Sequence, residues 1–333
     1  MTSIQKFFNN KNIFITGGTG TFGTAMIDFL LKNSKPKSII VYSRDEMKQW
    51  YLKENLLKFK NVKFVLGDVR DKERLDSVLS NKIDYLFHAA ATKIVPTSEF
   101  NPEECIKTNI IGAMNVIDCC KKNKVKKVVA LSTDKASSPI NLYGATKLCS
   151  DKLFVAQNSE NVQTKFGVVR YGNVMASRGS IIPYFKSLIN KSYFPITHPE
   201  MTRFFLSIED AVRFSCFGMI NMIGGEIFVK KIKSIKITDL AKSIKHNVKF
   251  KITGIRPGEK IHEQMIGSDE AINTAEFNDH YEILANVSEK MKKIRKGYKS
   301  VDKNFIFSSK TAIKFSINEF KKIILKLNWK KKY

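Results

Sequence analysis

NIFITGGTGTFG, at residues 12–23 of the 333-residue chain, joins a short apolar run to a glycine-rich loop. The run Asn12–Thr16 has the β-branched and aromatic composition of a buried strand. Three glycines follow it at GxxGxxG spacing, which permits a tight turn and lets the backbone approach a pyrophosphate closely. A helix pattern over Thr24–Lys32 then directs N-terminal N–H groups at the phosphates. Together these features predict the first strand, turn and helix of a dinucleotide-binding unit.

Strand and helix patterns alternate through the first half of the chain. Five further strands are predicted at Ser38–Tyr42, Asn61–Leu66, Asp84–Ala91, Lys127–Leu131 and Lys165–Arg170. This alternation predicts an α/β fold, a Rossmann-type doubly wound parallel sheet, in which ligands bind at the carboxyl ends of the strands. We assign residues 1–172 to an NADP-binding Rossmann domain to which later segments cross back. We assign residues 173–333 mainly to a smaller, discontinuous substrate-binding domain with a C-terminal helix.

The end of the second strand indicates which nicotinamide dinucleotide binds. An NAD site usually has an acidic residue there to hold the ribose 2′-hydroxyl, but this chain has Ser43 and Arg44, with Lys48 one turn further on. Arg44 can bind a 2′-phosphate bidentately, and Lys48 adds positive charge. Asp45 does not fit a 2′-phosphate, but it can instead cap the following helix. We therefore expect NADP.

Other strand ends supply the rest of the predicted cofactor site. Asp68 follows the third strand and either accepts a hydrogen bond from an adenine amino group or caps a helix predicted at Lys72–Leu79. Small side chains at Ala89–Ala91 leave room for the cofactor against the backbone, and Lys93 follows on a loop near the nicotinamide. The predicted cofactor-binding residues on these strand ends are Gly17, Thr19, Gly20, Thr21, Phe22, Gly23, Ser43, Arg44, Lys48, Asp68, Val69, Ala89 and Lys93.

Residues 131–147, LSTDKASSPINLYGATK, follow the fifth strand and hold the strongest catalytic signal. Tyr143 and Lys147 are four residues apart, so on a helix their side chains lie on one face. A neighbouring ammonium favours phenolate, which makes Tyr143 a candidate base near neutral pH. The alternative is an ordinary surface helix. The Thr-Asp-Lys cluster at the strand end favours a catalytic role, in which Tyr143 and Lys147 also contact the cofactor.

The pattern becomes less regular from Arg178 onward, where we expect the substrate-binding domain. Arginines suit a diphosphate because the guanidinium bonds it bidentately. The predicted substrate-binding residues are Lys93, Thr133, Asn173, Val174, Arg178, Ser180, Thr197, Arg203, Arg256 and Glu259.

Composition narrows the possible partners and cofactors. The sequence has no apolar run long enough to span a bilayer and no signal-peptide pattern, so we expect a cytoplasmic protein without a membrane partner. The net charge is +26, but the lysines are spread along the chain without a recognition motif, so we expect no nucleic-acid partner. The five cysteines lack metal-ligand spacing, which predicts reduced thiols and no metal site. Residues Ile317–Trp329 predict an amphipathic helix; the alternative is a membrane-surface helix.

Several motifs together resemble the extended short-chain dehydrogenase/reductases that act on nucleotide sugars. They are TGGTGTFG, VYSRDEMK, LGDVRD, HAAATK, NPEECIKTNI, YGATK, RYGNV, MTRFF, GGEIFV and GIRPGEK, and they span roughly residues 11–263. More narrowly, the chain resembles the inverting UDP-N-acetylglucosamine 4,6-dehydratases, which begin pseudaminic acid synthesis for flagellin or surface glycans. Retaining dehydratases carry Asp-Glu at this position. This chain has Asp134 and Lys135, and the inverting family also has Asp-Lys there. One departure is Ile94, where the family has histidine.

The resemblance implies a homo-oligomer that binds UDP-N-acetylglucosamine, and it implies a role for each catalytic residue. Tyr143, supported by Lys147, takes the proton of the sugar 4-hydroxyl while hydride leaves carbon 4 for NADP+. Lys135, as a neutral amine, removes the proton of carbon 5, and Asp134 protonates the departing 6-hydroxyl. Lys135 needs a lowered pKa for its role, which burial and neighbouring cations can give, and Asp134 needs a raised pKa to stay protonated. Hydride then returns to carbon 6, carbon 5 is reprotonated on the opposite face, and Thr133 bonds the 4-oxygen.

Two other interpretations remain open. A UDP-sugar 4-epimerase, or an epimerising dehydratase for capsule or O-antigen sugars, uses the same scaffold, although an epimerase needs no Asp-Lys pair. A non-catalytic NADP-binding regulatory protein belongs to a different class. Such proteins commonly lose the tyrosine or lysine of the YxxxK motif, whereas this chain has both.

Overall fold

The computed structural model describes residues 2–158, 163–175, 177, 179–284 and 299–327. A central sheet of ten strands organises them, in the order β3-β2-β1-β4-β5-β6-β10-β15-β14-β16. Its strands are β1 (Asn12–Thr16), β2 (Ser38–Ser43), β3 (Val62–Leu66), β4 (Tyr85–His88), β5 (Lys127–Thr133), β6 (Lys165–Tyr171), β10 (Glu226–Lys230), β14 (Thr274–Glu276), β15 (His280–Leu284) and β16 (Lys299–Ser300). The predicted residues Arg178 and Trp329 lie outside the described ranges.

The sheet is parallel from β3 to β10 and antiparallel beyond it. Strand order reverses at β1. The chain first adds β2 and β3 on one side of β1 and then adds β4, β5 and β6 on the other side. Such a reversal opens a crevice at the carboxyl ends of the strands, where ligands of doubly wound sheets bind. The predicted doubly wound parallel sheet is therefore confirmed. Its antiparallel extension consists of β15, β14 and β16.

Helices pack on both faces of the sheet and also against the short strands in the later half of the chain. They are α1 (Ser3–Phe8), α2 (Thr21–Asn33), α3 (Glu46–Asn55), α4 (Lys72–Leu79), α5 (Val95–Phe100), α6 (Pro102–Ile106), α7 (Gly112–Lys122), α8 (Leu142–Ala156), α9 (Ile181–Ser187), α10 (Ile208–Asn221), α11 (Ile237–Ile244), α12 (Ser268–Ala271) and α13 (Ile317–Lys326). A π-helical turn at Lys107–Ile111 joins α6 to α7. The helical run from Pro102 to Lys122 is therefore interrupted by this turn.

Side chains of alternate residues along β1 enter opposite halves of the core, as the two-residue period of a strand requires. Ile13 and Ile15 pack with Met26 of α2, whereas Phe14 packs with Val116 of α7. Both faces of the sheet are therefore buried, which explains why the parallel strands are almost continuously apolar.

A third apolar cluster lies in the later half of the chain. It joins α9, α11 and α13 to short strands and includes Ile182, Phe194, Phe205, Leu240 and Phe320. The short strands are β7 (Asn173–Val174), β8 (Tyr193–Ile196), β9 (Thr202–Leu206), β11 (Ser234–Lys236), β12 (Lys249–Ile252), β13 (Gln264–Ile266) and β17 (Phe307–Ser308). The α13 helix thus packs its apolar face on the protein. Within the described ranges, no helix has the length and apolar character that spanning a bilayer requires.

Candidate active site

A cavity of about 1370 Å³ opens at the carboxyl ends of β1 to β6. Of the predicted cofactor- and substrate-binding residues that the structure describes, every one lines it. They come together because the carboxyl ends of parallel strands meet at one edge of the sheet. Of the predicted catalytic residues, Thr133, Lys135, Tyr143 and Lys147 line the cavity, whereas Asp134 is fully buried behind them.

The glycine-rich loop forms a cradle that side chains would fill. Gly17 has a φ of +64°, and a Cβ on it would lie 2.8 Å from the backbone of Ala89 and Ala90. A Cβ on Gly23 would lie 2.4 Å from the Cα of Gly18. The α2 helix begins directly after this loop, and its N-cap, Gly20, offers no side chain to its free N–H groups. The loop and helix therefore fit a pyrophosphate.

The end of β2 exposes one cation. The side chain of Arg44 is 61% exposed, and its NH1 lies 3.7 Å from Oδ2 of Asp68. Lys48 instead forms an ion pair with Asp45. Asp45 also caps α3 by accepting a hydrogen bond from the N–H of Lys48 at 2.9 Å. Asp45 therefore has the capping role that the sequence allowed, and Arg44 is the cation best placed for a ribose phosphate.

The carboxylate of Asp68 lies beside this cation and is held by Arg70. The Arg70 side chain donates to Oδ2 at 3.0 and 2.7 Å, and its backbone N–H donates to Oδ1 at 3.0 Å. Burial alone would raise the pKa of Asp68, but the hydrogen bonds and charge of Arg70 lower it below its ordinary value. The cap of α4 is Asp71, which accepts from the N–H of Arg74. The alternative of Asp68 as the cap of this helix is therefore wrong.

Thr133, Asp134 and Lys135, predicted to be catalytic, come together where β5 ends and a single 3₁₀ turn, Asp134–Ala136, begins. Thr133 donates from Oγ1 to Oδ1 of Asp134 at 3.0 Å. The ammonium of Lys135 lies 3.0 Å from the same oxygen and 3.1 Å from Oε1 of Glu263. The amine of Lys135 is therefore held between two carboxylates, of which only Asp134 was predicted.

Burial and this ion cluster shift both catalytic pKa values. Burial raises the pKa of Asp134, and the charge of Glu263 adds to it, so the pKa stays above its ordinary value despite Lys135. Burial lowers the pKa of Lys135, but Asp134 and Glu263 outweigh burial and leave the pKa raised. The raised pKa of Asp134 suits a general acid, which must hold a proton before it can donate it. The expectation of a lowered pKa for Lys135 is therefore wrong, because two carboxylates surround the amine, and Lys135 must lose a proton before it can act as a base.

Tyr143 lies at the start of α8, and its phenol is also perturbed. Burial raises its pKa to about 12, against the charge of Lys135 and a hydrogen bond with Thr133. Lys147, one turn further along, is buried, and burial lowers its pKa while Asp151 opposes the shift. The YxxxK spacing predicted that Lys147 would favour the phenolate, which stays a prediction. The charge of Lys135 also favours the phenolate.

Arg203 of β9 holds the far wall of the cavity. Its guanidinium donates to the carbonyl oxygens of Thr202 at 2.8 Å, Lys260 at 2.8 Å and Ile261 at 3.1 Å. These bonds fix the segment that carries Glu263, so few of its donors remain for a diphosphate. Arg256, in contrast, is exposed on the cavity wall.

Sequence reasoning missed two groups of residues near the cluster. The first is Glu263, which belongs to the stretch GIRPGEKIHE; the motif was visible, but nothing local marks its last residue as the partner of Lys135. The second is a buried network below the site. Arg170 lies 3.2 Å from Asp151 and 2.8 Å from Glu270, and Ser132 donates to Asp151 at 2.6 Å.

The chain is similar to a family of polysaccharide biosynthesis proteins and to enzymes named for reactions of UDP-sugars. Residues 13–285 match the family model described as "Polysaccharide biosynthesis protein". The chain is 50% identical over 330 residues to a UDP-N-acetylglucosamine 4,6-dehydratase (inverting) of Campylobacter jejuni, covering 93% of this chain and 98% of that protein. It is 40% identical to a UDP-glucose 4-epimerase of Rickettsia bellii, with 97% of both chains covered. The X-ray structure of Pen from Bacillus thuringiensis is 36% identical and superposes with a TM-score of 0.87, covering 96% of this chain and 98% of that one.

Proposed function

The chain belongs to the polysaccharide biosynthesis protein family, within the extended short-chain dehydrogenase/reductases, and on that premise we propose that it is an NADP-dependent inverting 4,6-dehydratase. It converts UDP-N-acetylglucosamine to UDP-2-acetamido-2,6-dideoxy-β-L-arabino-hex-4-ulose, and because water is eliminated it acts as a hydro-lyase. The observation that carries this proposal is the Lys135–Asp134 pair, 3.0 Å apart at the end of β5 beside the cavity.

The pair can supply the acid and the base from a single proton transfer. The ammonium of Lys135 and the carboxylate of Asp134 are within hydrogen-bond distance, at 3.0 Å. Movement of one proton from Lys135 to Asp134 leaves a neutral amine and a neutral carboxyl, which are the two forms that the elimination needs. Rotation about the Cε–Nζ bond then turns the lone pair of the amine from Asp134 toward the cavity. Burial raises the pKa of Asp134, which favours the neutral carboxyl, whereas the raised pKa of Lys135 opposes the same transfer.

The other residues of the cluster act on the sugar 4-oxygen. Tyr143 takes the proton of the 4-hydroxyl, and Thr133 bonds the same oxygen. The loop at Gly17–Gly23 and the guanidinium of Arg44 would hold a nicotinamide dinucleotide, which would supply hydride transfer at the sugar. The amine of Lys135 then removes the proton of carbon 5, and Asp134 protonates the departing 6-hydroxyl. Delivery of a proton to the opposite face of carbon 5 inverts that centre.

NADP is our choice between the two nicotinamide dinucleotides. The end of β2 carries Ser43 and Arg44 where an acidic residue would hold the ribose hydroxyls of NAD. The exposed guanidinium of Arg44 supports binding of a 2′-phosphate, since Asp45 is engaged as the cap of α3.

The cellular setting belongs to the same proposal. A product of this structure feeds pseudaminic acid synthesis for flagellin or surface glycans, and we place the enzyme in the cytoplasm as a homo-oligomer. Neither a nucleic acid nor a membrane is needed for this reaction.

A UDP-sugar 4-epimerase is the second candidate, because the Rickettsia relative carries that name. Proton NMR of the protein with UDP-N-acetylglucosamine and catalytic NADP+ separates the two. A 6-deoxy-4-keto sugar supports the dehydratase. Conversion to UDP-N-acetylgalactosamine supports the epimerase and contradicts the dehydratase.

A further inference from the structure

Glu263 has the closest contact with the proposed base after Asp134. It is 2% exposed, and its Oε1 lies 3.1 Å from Nζ of Lys135 and 3.6 Å from Nε of Arg203. Its backbone N–H donates to Oγ of Ser309 at 2.8 Å, which fixes the chain at this point. Its second oxygen, Oε2, is buried and has no hydrogen-bond partner among the described residues. Burying a carboxylate costs free energy unless its charge is paired. Here Lys135 and Arg203 provide the opposite charges.

The two carboxylates determine how the amine of Lys135 is held. An ammonium has three N–H donors, and two of them have partners, Asp134 at 3.0 Å and Glu263 at 3.1 Å. The Lys135 side chain is 20% exposed and lines the cavity. One position on the nitrogen therefore remains for a substrate in the cavity. Without Glu263, only Asp134 would hold the amine.

We propose that Glu263 is a positioning residue for carbon 5 deprotonation: it aims the amine of Lys135 into the cavity and stabilises the ammonium that forms there. The inference rests on the proposed dehydratase function. In the step, the C5–H bond breaks and its proton bonds to Nζ of Lys135. The electron pair forms the C5–C6 double bond as the C6–oxygen bond breaks, and the proton of Asp134 leaves with that oxygen as water.

Arg203 sets the strength of this effect. It lies against the same carboxylate at 3.6 Å and also contacts Glu259 at 3.5 Å. Its charge opposes that of Glu263 at Lys135, since Glu263 raises the pKa of the lysine and Arg203 lowers it. Glu263 and Arg203 therefore act on Lys135 in opposite directions. Glu263 makes the amine a stronger base for the carbon 5 proton, and Arg203 makes the neutral amine easier to form.

The test compares Glu263→Gln with Glu263→Asp in a pH profile of kcat on UDP-N-acetylglucosamine. The active pair holds one proton between Lys135 and Asp134, so the rising limb reports loss of the second proton. Glu263 raises the pKa of both groups, so loss of its negative charge moves this limb toward acid by about 1–3 pH units. Glu263→Asp keeps the charge but shortens the reach, so its limb stays near that of the wild type while kcat falls. A limb that stays in place in Glu263→Gln overturns the inference.

A second measurement does not depend on turnover. The protein is labelled with ¹³Cε-lysine, the signal of Lys135 is assigned with Lys135→Arg, and its titration is followed by NMR in wild type and Glu263→Gln. We expect the titration to move toward acid in Glu263→Gln and to stay nearly unchanged in Glu259→Gln, whose carboxylate contacts Arg203 instead. An unmoved titration in Glu263→Gln overturns the inference. A wild-type protein that forms no dehydrated product overturns the proposed function, and the titration still decides whether Glu263 governs the amine.

Discussion

Replacing Arg170 with methionine should destabilise the protein strongly. The guanidinium is fully buried between Asp151, at 3.2 Å, and Glu270, at 2.8 Å. Methionine fills part of the space but leaves two buried carboxylates without their cation. Removing one partner of a buried ion pair typically costs about 3–5 kcal/mol. At about 2–4 °C of Tm per kcal/mol for a large domain, the loss corresponds to roughly 6–20 °C.

The deficit should depend on pH in a defined direction. Burial raises the pKa of Asp151 even with Arg170 present, and removal of Arg170 raises it further. A carboxyl with a raised folded-state pKa destabilises the fold as pH rises above its unfolded value, so the penalty is relieved in acid. Calorimetric Tm differences between variant and wild type should therefore shrink from pH 8 to pH 5.

Arg213→Met is the matched control, because Arg213 forms an exposed pair with Glu209 in α10. Loss of such a pair should cost only about 0–1 kcal/mol. A Tm for Arg170→Met within about 2 °C of the wild type, less than 1 kcal/mol by the same conversion, would refute the reasoning. A deficit that stays constant with pH would refute the role assigned to Asp151.

Four further substitutions test the candidate site. Asp134→Asn and Lys135→Ala should each reduce dehydratase kcat by at least about a hundredfold, as loss of a general acid or base does; near-normal turnover would make the pair a structural ion pair. Gly17→Ala places a Cβ 2.8 Å from the backbone of Ala89 and Ala90 at a φ of +64°. Strain of about 1–3 kcal/mol should weaken NADP+ binding at least about fivefold in calorimetry. The control Gly254→Ala has φ +84° and no neighbour within 4 Å, so binding should persist; equal losses would contradict the cradle. Arg44→Gln should weaken NADP+ binding about 10–150-fold in fluorescence titration, the value of a charge-assisted hydrogen bond, and leave NAD+ binding nearly unchanged; equal effects on both would contradict 2′-phosphate recognition.

Local patterns in the sequence were enough to predict the sheet and the cofactor side of the cavity. The first strand was predicted with its exact bounds, Asn12–Thr16, because composition and the following glycines both mark it. The predicted α4 helix also has its exact bounds, Lys72–Leu79. Residues at successive strand ends could be grouped into one site because parallel strands share an edge.

Features that depend on distant contacts could not be predicted. Glu263 reaches Lys135 only because the segment after β12 folds over the end of β5, and Arg203 fixes that segment through its carbonyl oxygens. The π-helical turn at Lys107–Ile111 has no sequence signature, although Asn109 within it donates to the carbonyl oxygen of Thr92 at 2.9 Å and so holds the cavity loop. Spacing along one helix pointed to Lys147, but it could not show that Lys135, from the preceding turn, also acts on the phenol of Tyr143.

The configuration of the product at carbon 5 tests the central claim most directly. The protein is incubated with UDP-N-acetylglucosamine and catalytic NADP+ in D2O, and proton NMR follows the first product. We expect a 6-deoxy-4-keto sugar with L-arabino coupling constants and deuterium at carbon 5, since Lys135 removes that proton and solvent deuterium returns on the opposite face. A D-xylo product would contradict the inversion, and a product that retains the original proton at carbon 5 would contradict the role of Lys135.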